Sequence, residues 1–99
     1  MHQNLDWSSL SGFDWDHGNR EKNWIKHKVD YKEAEEMFFN KPLLIDEDLR
    51  HSSKEKRFEG LGQTNKGREL FIAFTIRDNK IRIISARDQD NKERKKYGQ

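Results

Sequence analysis

The spacing of apolar positions changes along this chain, and each change marks an element. Gly12-Phe13-Asp14-Trp15 alternates apolar and polar, as a short edge strand does. Asp16 is placed to cap a helix over 17–27. That helix is poor in apolar residues, chiefly Trp24 and Ile25, so tertiary packing must hold it. Lys22, Lys26 and His27 load its last turn with groups that suit the negative helix end. Over 30–39, Tyr31, Ala34, Met37 and Phe38 fall on one helical stripe, and Asp30 with Glu33 forms a capping box. Asn40-Lys41-Pro42 stops that helix.

Downstream the period drops to two. Leu43-Leu44-Ile45 predicts a short strand, followed by an acidic turn, Asp46-Glu47-Asp48, and a polar loop over 51–54. A second strand is expected over 57–64, where Gly60 and Gly62 point to a bulge or a close backbone approach. Asn65-Lys66-Gly67 makes a hairpin turn. In the next strand Leu70, Ile72, Phe74 and Ile76 share one face, and Phe71, Ala73, Thr75 and Arg77 the other. Asp78-Asn79 turns the chain into a β-branched strand over 80–86. Asp90 and Glu93 then box the start of a last helix, which carries Lys92, Arg94, Lys95 and Lys96 and closes at Tyr97.

This order predicts an α+β fold: an antiparallel sheet with two N-terminal helices packed on one face and a C-terminal helix, the other face left open. Residues 1–11 are expected to be a flexible leader whose Trp7 can dock on the body or on a partner. Residues 12–99 form a single domain. Trp15, Trp24, Phe13 and Phe38 are expected in the core rather than as stacking platforms for bases.

Charge sharpens this outline. Charged residues make up 38% of the chain and hydrophobic ones only 31%, so a thin core under a charged surface is expected. The net +2 hides a split: residues 1–48 hold 6 Lys+Arg against 11 Asp+Glu, and residues 49–99 hold 14 against 7. A basic half of this kind suits phosphates; the plainer alternative is a mixed solvated surface. No cysteine occurs, which removes disulfides and thiolate metal sites. No apolar run approaches the ~18 residues of a membrane span, and no signal peptide is visible, so a cytoplasmic protein is expected.

Four histidines offer little to a metal. His17, His27 and His51 stand far apart with no HxxxH or HExxH spacing, so neither metal nor cofactor is expected. No Walker loop, GxGxxG or GxSxG supports nucleotide-fold or serine-hydrolase chemistry. What remains is His51 and Glu55 ahead of one strand, with Arg57 beside them and Arg77, Arg82 and Arg87 on its neighbours. RNA can be cut by its own 2′-hydroxyl once a base takes the proton, a cation steadies the phosphorus centre and an acid protonates the leaving oxygen. Histidine and glutamate supply base and acid, and arginines grip phosphate bidentately. The expectation is that Arg57, Arg82 and Arg87 meet over one hollow, with His51 or Glu55 moving protons. Lys26, His27, Arg77, Lys92, Arg94, Lys95, Lys96 and Tyr97 would hold flanking RNA. The bland alternative is a surface histidine and cross-strand ion pairs. Alternation sets Arg82 with Ile84 and Ala86, but Arg87 with Ile81, Ile83 and Ser85. Arg87 is therefore expected at the strand end, where it can turn toward the site.

In their order along the chain, several segments resemble the BrnT family, the toxin halves of type II toxin–antitoxin pairs. They are Phe13-Asp14-Trp15-Asp16, Asn23 with Lys26-His27-Lys28-Val29, Glu55-Lys56-Arg57-Phe58, Arg82-Ile83-Ile84-Ser85-Ala86-Arg87, and Lys92-Glu93-Arg94 with Tyr97. The resemblance covers roughly residues 12–98. It implies a RelE-like fold and a ribosome-independent, metal-free endoribonuclease that halts growth. It also implies neutralisation by an antitoxin of the BrnA type, in a complex that represses its own operon through DNA contacts made by the antitoxin. Lys26, His27, Arg57, Arg82, Arg87, Glu93, Arg94 and Tyr97 match recurrent family positions. Family members usually carry glycine where Lys28 stands; glycine suits a left-handed helix cap, and lysine there costs about 1 kcal/mol. A basic module that binds nucleic acid without cutting it, or a degenerate toxin kept as a co-repressor, is the competing expectation.

Overall fold

The computed structural model describes residues 10–99. Strand β1 (Phe13–Trp15) leads into helix α1 (Asn19–His27) and helix α2 (Tyr31–Glu36), which tightens into a 3₁₀ turn over Met37–Phe39. Strand β2 (Leu44–Glu47) and a 3₁₀ turn at Leu49–His51 follow. Strands β3 (Arg57–Gln63), β4 (Glu69–Arg77) and β5 (Lys80–Asp88) form a meander, and helix α3 (Asn91–Tyr97) ends the chain. One sheet holds all five strands in the order β1-β5-β4-β3-β2.

The expected antiparallel sheet is corrected at one edge. β1 runs parallel to β5, with Phe13, Asp14 and Trp15 beside Ile81, Arg82 and Ile83, so the sheet is mixed. The helical stretch after β1 carries the chain to the far edge before β2 begins. First and last strands are left to pair side by side, a long-range contact that local alternation does not record.

The core lies on one side of the sheet. Phe58, Leu70, Ile72, Phe74, Ile81, Ile83 and Ala86 are buried there with Val29, Ala34 and Met37 from the helical segment. Phe38 meets Phe74 edge-on at 5.1 Å, and Trp15 Nε1 donates to Glu35 Oε2 at 2.9 Å. The glycines of β3 have a packing reason: a Cβ on Gly62 would collide with the Met37 side chain, and one on Gly60 would press against it.

Local chemistry sets the element ends. Both capping boxes form, Asp30 with Glu33 and Asp90 with Glu93. Asp78 and Asn79 take left-handed φ values of 54° and 62°, as a tight turn between β4 and β5 requires. The first helix starts later than expected, because Gly18 (φ 89°) rather than Asp16 is its cap. Its apolar residues do not hold it either. Trp24 and Ile25 are 51% and 68% exposed, and the buried residue of the helix is Asn23. β1 stops level with Ile83, which leaves the edge of β5 uncovered beyond it. There Asn23 Oδ1 accepts from Ala86 N–H at 3.1 Å. Amide pairing therefore does what apolar packing was expected to do.

Arg68 ties four segments together. It bonds the His27 and Lys28 carbonyls, Glu33 and Asp88. The hydrogen bond from Arg68 is the main reason the Asp88 carboxyl titrates below its ordinary range. The last two residues of the expected leader, Leu10 and Ser11, contact the folded body. Leu10 packs against the core and Ser11 N–H donates to Asn79 O at 2.7 Å, whereas Trp7 and His2 lie outside the described residues.

Lys28 occupies the left-handed cap (φ 54°, ψ 36°) that glycine prefers. Lys28→Gly keeps the cap hydrogen bonds and removes the Cβ strain, at the loss of a contact over Trp24. Chemical denaturation should show a gain of about 0.5–1 kcal/mol.

Candidate functional site

The side of the sheet facing away from the core carries the charged groups, and register arranges them in three rows. The first is Asp14, Arg82, Thr75 and Arg57, read from β1 to β3. In the second stand Ser85, Ala73, Glu59 and Asp46, and in the third Arg87, Phe71, Leu61 and Leu44. Arg82 and Arg87 share this side because β5 is bulged. Ala73 pairs with Ser85 and Phe74 with Ile83, so Ile84 is an extra residue without a partner on β4. Arg87 is expected to turn toward Arg82 at the strand end; that extra residue instead brings it round within the strand. Ala86 joins Ile81 and Ile83 in the core, Arg87 comes round to the Arg82 side, and the strand continues to Asp88. At standard strand spacing the backbones of Arg57 and Arg82 stand about 10 Å apart.

Two of the three arginines are already held. Arg82 pairs with Asp14 at 3.3 Å and Asp16 at 2.7 Å. Arg87 grips Glu93 with both terminal nitrogens, at 2.8 and 2.9 Å, and lies 4.1 Å from the centre of the Phe71 ring. The Glu93 bond is the main reason Arg87 holds its proton even more firmly than usual. The Arg57 guanidinium makes no hydrogen bond or ion pair with a described residue. It lines an open hollow with His51, Glu55, Lys54, Ser53 and Arg50.

His51 is exposed on the turn after β2, and its Nδ1 sits 2.7 Å from Asp48 Oδ2. That contact orients the ring and leaves Nε2 to solvent. Asp48 also caps the turn by accepting from Arg50 N–H. Glu55 is more occupied: Arg77, at the end of β4, grips its carboxylate at 3.1–3.2 Å. The two expected contributors thus neutralise each other.

The C-terminal helix divides its residues between anchoring and display. Lys96 reaches Asp46 at 3.2 Å, Glu93 holds Arg87, and Arg94 lies 3.8 Å from Glu69. Lys92 and Lys95 are exposed. Tyr97 is corrected as an RNA contact. It is 5% exposed, its hydroxyl donates to Pro42 O at 2.7 Å, and burial raises its pKa. Lys26 and His27 stand at the end of α1, and the His27 carbonyl is taken by Arg68. They belong to a neighbouring surface rather than to the three rows.

Two carboxylates escaped the sequence reading. Asp48 stands three residues before His51, and Glu59 stands two residues after Arg57 on the same strand face. The second spacing is the plain alternation of a strand and was there to be read.

The fold and these rows define a class: a small α+β domain that buries one side of its sheet and turns arginine, histidine and carboxylate groups outward on the other. The model of the family described as "Ribonuclease toxin, BrnT, of type II toxin-antitoxin system" matches residues 15–93, and the chain belongs to that family. The crystal structure of the Brucella abortus ribonuclease toxin BrnT is similar in fold. Its TM-score is 0.60 at 18% identity, covering 81% of this chain and 97% of that one. No curated protein matches the chain by sequence. No helix among the described residues is long and apolar enough to cross a membrane.

Removing the buried hydroxyl isolates the anchoring role of Tyr97. Tyr97→Phe should cost about 0.5–1.5 kcal/mol in a denaturant titration by orphaning the Pro42 carbonyl, and should leave RNA affinity unchanged in a filter-binding assay.

Proposed function

We propose that this toxin cleaves single-stranded RNA in the cytoplasm without a metal ion, using the RNA's own 2′-hydroxyl as nucleophile. The observation that carries this reading is the hollow where Arg57, free of any carboxylate among the described residues, meets His51 and Glu55 at the border of the arginine-bearing face. Arg57 binds the scissile phosphate and steadies the charge that builds on its oxygens. His51, oriented by Asp48, is the proton carrier of that hollow, and Glu55 joins it only when phosphate draws Arg77 away. Arg82 and Arg87 extend the cationic track, phosphates displacing or sharing the carboxylates that hold them. Lys92, Lys95, Arg94, Lys96, Lys26, His27 and Arg77 hold flanking backbone by charge alone.

The family supplies the setting. An antitoxin of the BrnA type neutralises the toxin, and the complex acts on operator DNA through the antitoxin. Released toxin cuts RNA and stops translation and growth.

The test uses the full chain, freed of antitoxin, with a single-stranded oligoribonucleotide in EDTA. Products with 2′,3′-cyclic phosphate ends are expected, and Arg57→Ala should slow their formation by about 100- to 1000-fold. Intact RNA in EDTA overturns the proposal, and binding without cyclic ends identifies a non-catalytic module instead.

A further inference from the structure

We infer that Glu59 is the general base of this cleavage, taking the proton from the attacking 2′-hydroxyl. The inference rests on the ribonuclease reading above. Glu59 stands in the middle row of the outward face, two residues along β3 from Arg57 and so about 7 Å from it at the backbone. Its neighbours across the sheet are Ala73 and Ser85. Both side chains are small, and the exposed Glu59 side chain lines a shallow hollow with Asp46, Phe71, Glu93 and Lys96 between the Arg57 row and helix α3. A ribose set beside a phosphate on Arg57 falls within reach of the Glu59 carboxylate.

Availability separates Glu59 from the other acids of the face. Glu55 is gripped by Arg77, Glu93 by Arg87, Asp14 by Arg82, and Asp48 by His51 and Arg50 N–H. Asp46, its partner across β2, holds Lys96. Glu59 makes no hydrogen bond or ion pair with a described residue, so its oxygens are open to a substrate hydroxyl.

The surroundings strengthen it as a base. Desolvation is the largest influence, and the carboxylates of Asp48 on the β2 side and Glu93 on α3 add to it, raising the Glu59 pKa. Lys96 on α3 and His51 on the turn oppose them. Asp46 directly across on β2, Arg57 on the same strand, and Arg82 and Arg87 on β5 with Asp14 on β1 are the other charges of the three rows. A carboxylate that holds a proton more firmly also abstracts one better.

The step balances. The 2′-hydroxyl proton passes to Glu59 as O2′ bonds phosphorus and the bond from phosphorus to O5′ breaks. O5′ takes a proton from the His51 imidazolium through Nε2, and Arg57 holds the non-bridging oxygens. The products are a 2′,3′-cyclic phosphate and a 5′-hydroxyl, and solvent returns the proton from Glu59 to His51.

The experiment compares wild type, Glu59→Gln and Glu59→Asp in cleavage of one oligoribonucleotide across pH, with binding of its 2′-deoxy analogue measured in parallel. Glu59→Gln should lose at least about 100-fold in kcat/KM, keep analogue affinity within about threefold and lose the acid limb of the wild-type profile. Glu59→Asp, a carboxylate set back by one carbon, should fall between. The wild-type limb should lie above the ordinary glutamate range, the rate rising with pH as Glu59 loses its proton. Glu59→Gln cleaving within about threefold of wild type overturns the role of Glu59, while cyclic ends from the wild type leave the ribonuclease reading standing. A wild type that cuts nothing removes both. If Glu59→Gln does not fold, the wild-type profile decides: a rate independent of pH through that range overturns the inference.

Discussion

One extra residue in β5 sets the character of the outward face. With strict alternation, Arg82 and Arg87 would lie on opposite sides of the sheet, and Ala86 would leave the core. The bulge at Ile84 shifts the phase once. It keeps Ile81, Ile83 and Ala86 buried on one side while both arginines stand on the other with Arg57. Just past the bulge β1 has ended, and Asn23 takes the Ala86 amide left bare there.

That face is built of cations held in check. Arg82 and Arg87 each carry carboxylate partners that occupy the places a phosphate would take. Part-exposed pairs of this sort contribute little to stability and exchange partners readily, so they can fix side-chain direction without blocking a polyanion. Arg57 differs in having no such partner among the described residues, which makes it the point where a phosphate meets the least competition. Helix α3 belongs to the same arrangement. Glu93 closes its capping box and holds Arg87, while Tyr97 and Lys96 pin it to β2 and the segment before it. Its outer lysines are thereby presented from a fixed base.

Local features were legible in the residues, and long-range ones were not. Capping boxes and the Asp78-Asn79 turn depend on neighbours a few positions apart, and each was readable from its own segment. The parallel pairing of β1 with β5 joins residues nearly seventy positions apart and leaves no mark on either segment. A bulge has no composition of its own, so the face of Arg87 could not be read from period alone. Tyr97 illustrates a different limit: an aromatic at the end of a basic helix looks like a binding residue until the fold shows what it touches. Glu55 and His51 were found because they flank a strand in sequence. Glu59 shares the face of Arg57 by plain alternation, but nothing in the sequence distinguishes its carboxylate from the paired ones around it.

The central claim is that RNA lies on the bulged side of the sheet, across the rows that join Arg57, Glu59, Arg82 and Arg87. Titrating isotope-labelled protein with a 2′-deoxy oligonucleotide analogue and following backbone amide shifts tests it most directly. The account predicts the largest shifts along β3, at Ala73 and from Arg82 to Arg87, with helix α2, packed on the core side, unmoved. Shifts centred on that helical side, with the three rows silent, would contradict it.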